Sequence, residues 1–136
     1  MVSMIHQYGV DVFYVGHQGN YDRMVRGLLR ELAVEYPHIR YWIVLAYLPG
    51  KHPPVERDEL AHTLLPEGME SVPQRFAILY RNHWMVEHSQ HVITCIRYPK
   101  GGAARFAQKA EKRGCHVVNI TTKPLLPNAG GVFSLL

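Results

Sequence analysis

Between Val10 and Ile120 the chain keeps returning to one unit: an apolar run of strand length, a turn marked by glycine or proline, and then a helix. That recurrence constrains the fold more than any other feature. The first run, VDVFYV from Val10 to Val15, is β-branched, aromatic and nearly continuous in its apolar character, as a strand covered on both faces must be. It stops at Gly16, and the turn GHQGN follows, in which Gly16 and Gly19 admit backbone angles that other residues avoid. From Tyr21 to Pro37 the apolar residues Met24, Val25, Leu28, Leu29 and Leu32 recur near the helical period. Asn20 or Asp22 is placed to cap that helix, and Pro37 ends it.

The pattern continues with a strand at Tyr41–Leu48, stopped by Pro49-Gly50. A helix is expected from about Arg75 to His88, a third strand at His91–Ile96, a third helix from about Ala103 to Arg113 with Gly114 as its C-cap, and a fourth strand at His116–Ile120. Strands alternating with helices predict an α/β fold. The expectation is one Rossmann-like domain: a parallel sheet of four or five strands in the order 2-1-3-4, with helices on both faces and right-handed crossovers. Its core spans about residues 10–120. Residues 49–74, rich in proline and acids, read as a partly ordered flap with one helical turn near Glu56 to His62, and its acids mostly as a solvated face. The tail, 121–136, reads as irregular.

Length and composition agree with one globular unit. At 136 residues, 47% hydrophobic and 19% charged, the chain is long enough to bury a real core. No run approaches the roughly 20 apolar residues of a membrane span, and the opening residues lack the features of a signal peptide, so a cytoplasmic location is expected. Cys95 and Cys115 have no CxxC spacing and read as small buried fillers. The net charge of +4 suits an anionic ligand, but the basic residues are dispersed, so nucleic acid is a possible partner and not the favoured one. The nine histidines include no HxxxH or HExxH, and no metal site is expected.

In open α/β sheets ligands bind beyond the carboxyl ends of the strands, where the strand order reverses. That rule selects two turns. The first carries Gly16, Gln18 and Asn20; the second, PKGGAARFAQ, carries Gly101, Gly102 and Ala103 at the start of a helix whose free N–H groups and dipole favour phosphate. Neither is a GxGxxG or Walker loop, and no GxSxG elbow is present. Arg81 and Asn82 form a polar pair in an otherwise apolar helix and need a partner. Arg81 suits a phosphate through its bidentate fork, or else an ion pair with Glu87 or a flap acid. Tyr47 or Met69 is placed to pack on a base.

Taken together, DVFYVGHQGNYD, VLAYLP, LPEGMESVPQRFAILYRNHWMVEHSQHVIT and GGAARFAQKAEKRGCHVVNI resemble the SLOG superfamily, in particular its small stand-alone, DUF1273-like members. That superfamily groups the Lonely Guy phosphoribohydrolases with Smf/DprA proteins and nucleotide-sensing domains. The resemblance covers about Asp11 to Ile120. It implies a Rossmann-like domain for a nucleotide-like small molecule, with Gly16 after the first strand, Arg81 and Asn82 as the helix Arg-Asn pair, and Gly101 and Gly102 as the phosphate-binding glycines. In the Lonely Guy enzymes the glycine motif runs on as GGxGTxxE. Here Gln108 stands where the catalytic Glu would be, and Gln is neither acid nor base near neutral pH.

The expected function is therefore binding or sensing of a nucleotide or nucleotide-derived phosphate ligand, with no separate cofactor. The alternatives are a nucleotide N-glycosidic hydrolase or transferase, with Glu67 or Glu70 of the flap supplying the missing carboxylate, or a DNA- or protein-interaction module on the same fold. A homodimer or higher homo-oligomer is also expected.

Overall fold

The computed structural model describes residues 1–17, 19–47, 57–94 and 102–119. Asn20, Gly102 and Ala103 are placed by their backbone. The expectations that fall on Gln18, Cys95, Gly101 and the tail lie outside the described residues.

A short helix that no sequence signal announced, α1 (Val2–Tyr8), comes first and buries Met4 and Ile5. Gly9, at φ 66°, closes it in the left-handed conformation. Strand β1 (Val12–Val15) follows, then α2 (Gly19–Glu35) and β2 (Arg40–Val44). A 3-10 turn at Arg57–His62 leads into the two-residue β3 (Thr63–Leu64). Helix α3 (Ala77–Glu87), β4 (His91–Thr94), α4 (Gly102–Lys112) and β5 (His116–Asn119) complete the order. Gly114, at φ 93°, ends the turn after α4 as its position predicts.

All strand pairs are parallel. β1 pairs with β2 from Val12↔Arg40 to Val15↔Ile43, and β2 pairs with β3 at Ile43↔Thr63 and Val44↔Leu64. β4 pairs with β5 from His91↔His116 to Thr94↔Asn119. Among the described residues the expected continuous order does not appear: they form a three-stranded sheet, β1-β2-β3, and a separate two-stranded pair, β4-β5. Among the described residues no ladder joins β1 to β4. A cavity of about 440 Å³ lies against both strands.

Side-chain alternation sets the layers. Phe13 and Val15 turn to one face and pack with Ile5 of α1, Val25 and Leu29 of α2, and Tyr41, Ile43 and Leu45 of the β2 segment. Tyr14 points the other way and meets Trp84 of α3 edge-on, with ring centroids 5.1 Å apart, so α2 and α3 cover opposite faces of β1. Val25, Leu29 and Ile43 are wholly buried, each contributing about 1.5–3 kcal/mol relative to an exposed side chain. A second cluster joins Val86 of α3, Val92 of β4, and Phe106 and Ala110 of α4.

The described part of the flap is docked, not merely solvated. Glu59 is buried and accepts from Arg26 Nε at 3.2 Å and Arg30 Nη2 at 3.0 Å, fastening the 3-10 turn to α2. A carboxylate that deep costs stability unless it is paired, and neither arginine is near it in sequence. Met69, expected as a possible platform for a base, is instead core, packed with Ala46 and Ala77. No helix among the described residues is long and apolar enough to cross a membrane.

Candidate functional site

β1 ends at Gly16, and the space where a side chain would grow is taken. A β-carbon on Gly16 would fall 2.6 Å from Asp22 Oδ2 and 2.7 Å from Arg81 Nη1. Gly16 does not have a positive φ. Its role is therefore room, not backbone freedom: it lets a guanidinium from α3 and a carboxylate from the first turn of α2 converge on the strand end. Asp22 sits there because α2 starts at Gly19, whose φ of 83° makes the turn. Arg81 sits there because α3 runs back across β1, with Trp84 one turn further on Tyr14.

Arg81 is 3% exposed. Its Nε and Nη2 donate to Asn82 Oδ1 at 3.2 and 2.9 Å, so its neighbour orients the fork. Nη1 is buried with no hydrogen-bond partner among the described residues. Burial pushes the Arg81 guanidinium below its ordinary value, against the opposing influence of Asp22 and Tyr47. An arginine still holds its proton at neutral pH, so the strand end carries a desolvated cation with one unused donor. The Glu87 pairing that the sequence left open does not form. Glu87 Oε1 lies 2.6 Å from His83 Nε2 instead.

Other predicted residues fall as follows. Asn82 is half-buried beside Arg81, and Asn20 lies in the first turn of α2. Gly102 and Ala103 open α4, which follows β4. Glu67 and Glu70 are exposed, and neither forms an ion pair with Arg81 among the described residues. The flap meets α3 through Tyr80, whose hydroxyl donates to the Glu67 carbonyl at 2.7 Å. Gln108 is exposed on α4. Cys115 is half-buried, with Sγ donating to the Ser89 carbonyl at 3.2 Å.

Sequence reasoning missed three buried polar residues at the strand ends. Asp22 was visible only as a helix cap, yet it is the buried carboxylate beside Arg81. His17, next after Gly16, is 4% exposed. Thr94, the last residue of β4, is fully buried with Oγ1 lacking a partner among the described residues. A polar residue inside the apolar run His91–Ile96 was the available signal for Thr94. Among the described residues no group of three or more His, Cys, Asp or Glu side chains is arranged to hold a metal ion.

The arrangement offers a directed cationic donor, a carboxylate acceptor and a bare strand end within one small volume. It can hold a ligand that is anionic at one point and a hydrogen-bond donor at the next. Compared with family models, curated proteins and solved structures, the chain matches none.

Proposed function

We propose that this chain binds a nucleotide or nucleotide-derived phosphate ligand at the carboxyl ends of its parallel strands. The observation that carries the reading is Arg81: a buried cation whose Nη1 has no partner among the described residues, lying in the space left by Gly16. A phosphate oxygen supplies both the acceptor and the charge. Asp22, whose ionised carboxylate can only accept hydrogen bonds, suits a sugar hydroxyl or base N–H of the same ligand. The N–H groups at the start of α4 are a second phosphate-favouring element of this reading. The resemblance to the SLOG superfamily agrees with it, and we propose that affiliation on the residues quoted above.

The test is a thermal-shift screen of the whole chain against nucleoside mono-, di- and triphosphates, cyclic nucleotides and ADP-ribose derivatives, with every mixture chromatographed for products. A stabilising ligand recovered intact is the expected result. Arg81→Ala, checked for folding by circular dichroism, should weaken that ligand by about 1.5–3 kcal/mol, the worth of a hydrogen bond to a charged group. Unchanged affinity in a folded variant removes Arg81 from the site.

One observation favours a second reading, cleavage of a nucleotide N-glycosidic bond: the buried carboxylate of Asp22 lies beside Arg81, whereas Glu67 and Glu70 are exposed. Under that reading free base and ribose phosphate appear in the chromatogram. Asp22→Asn then stops their release while ligand still binds.

A further inference from the structure

We propose that the cleft between β1 and β4 is a strand-addition site, which takes an extended peptide segment from another protein. The inference is independent of the Arg81 site: none of Gly16, Asp22 and Arg81 lines this cleft.

The argument rests on which main-chain groups are used. Arg40 N–H donates to the Asp11 carbonyl at 2.7 Å, so the odd-numbered residues of the β1 segment turn their main-chain groups toward β2. Successive residues of a strand alternate sides. The N–H and C=O groups of Val12 and Tyr14 therefore face away from β2. On the other side His116 N–H donates to the Gln90 carbonyl at 2.9 Å, so even-numbered residues serve β5. The N–H and C=O groups of His91 and Ile93 therefore face away from β5. Val12, Tyr14, His91 and Ile93 all line the 440 Å³ cavity. No backbone bond crosses from β1 to β4 among the described residues, and the two strands stand farther apart than hydrogen-bonded neighbours do.

Among the described residues, the two edges thus present donors and acceptors without a main-chain partner at the strand repeat. Main-chain groups left in that state are costly when shielded from water, and open edges recruit strands. An extended peptide is the ligand that carries alternating N–H and C=O groups along both of its flanks, so its partial charges complement both edges at once. The four-residue length of β1 and of β4 sets its span at about 13 Å, at roughly 3.3 Å per residue. Met4 of α1 and Met85 and Val86 of α3 line the same cavity, so the incoming side chains are small and apolar. Tyr8, Asp11, His88 and Gln90 surround the end where both strands begin.

The experiment follows backbone amide exchange in the full chain by NMR. The probe is a capped pentapeptide of alternating Thr and Val at millimolar concentration, with an N-methylated version as control. In the free chain the amides of Val12, Tyr14, His91 and Ile93 should exchange at least about tenfold faster than those of Phe13 and Val92. The peptide should slow all four at least about tenfold, and the N-methylated control should not. Val12→Pro removes an N–H that β2 does not use, so it should keep the fold and lose the peptide effect. Protection of the four amides in the free chain overturns the proposal, whether β1 pairs with β4 directly or with another part of the same chain. Exchange that the peptide leaves unchanged overturns it too.

Discussion

The two sheets of this molecule are built from the same parallel geometry but are secured very differently. The β1-β2-β3 half has wholly buried side chains at Val15, Val25, Leu29 and Ile43, and its flap is tied to α2 by an ion pair with both partners buried. The β4-β5 half also has wholly buried side chains, at Val86, Thr94 and Ala110, but every residue of β5 is half-buried or exposed. A two-stranded pair is marginal alone, so the second half depends on α3 and α4 for cover. Arg81 belongs to the helix that bridges the halves, and it reaches the strand end of the better-secured one. The difference teaches that the candidate site has one wall, at Gly16 and Asp22, built on the better-buried half, and another whose position depends on how α3 is held.

The comparison is broken most severely at Glu59. Glu59→Ala leaves Arg26 buried without its partner, and urea denaturation should show a loss of about 3–5 kcal/mol. A loss under about 1 kcal/mol would mean that water already reaches the pair, as at surface salt bridges. Next in size is a matched pair of truncations. Ile43→Ala, in the first half, should cost about 2–5 kcal/mol. Val117→Ala, half-buried on β5, should cost about 1 kcal/mol or less, in line with the transfer value of the groups removed. Equal losses in urea titrations would erase the contrast between the halves.

An effect smaller than that of Ile43→Ala sharpens the comparison at the site. Gly16→Ala puts a methyl where Arg81 and Asp22 now lie, an overpacking expected to cost about 1–3 kcal/mol. Since Gly16 does not have a positive φ, a measured loss reports steric conflict and not backbone strain, net of the small gain from a stiffer unfolded chain. If Gly16→Ala leaves both stability and ligand affinity unchanged, the convergence of Arg81 and Asp22 on the strand end is not what the site is built on.

Element types were legible because they rest on local periodicity. The stripe containing Val25 and Leu29 marked α2, the apolar run to Val15 marked β1, and the glycine at position 114 marked the end of α4. Helix α1 was not legible, because seven residues carry too little pattern. Strand β3 was not either, since two residues become a strand only by pairing with β2. At the site, Gly16, Arg81 and Asn82 could be singled out from their setting in the chain, while Asp22 read as a cap and Thr94 as nothing in particular.

By itself, then, the sequence determined the alternating order of strands and helices, the parallel character of their pairing and the presence of a polar pair inside α3. The order and the polar pair follow from interactions within a few residues along the chain, and parallel pairing is what strands alternating with crossover helices imply. Only the tertiary structure decided that Gly16 is glycine to make room for Arg81, that Glu59 is buried between two arginines, and that β1 and β4 stand apart around a cavity. The physical reason is that burial, charge pairing and strand neighbours are set by groups distant in sequence, such as Arg26 and Glu59, which are 33 positions apart.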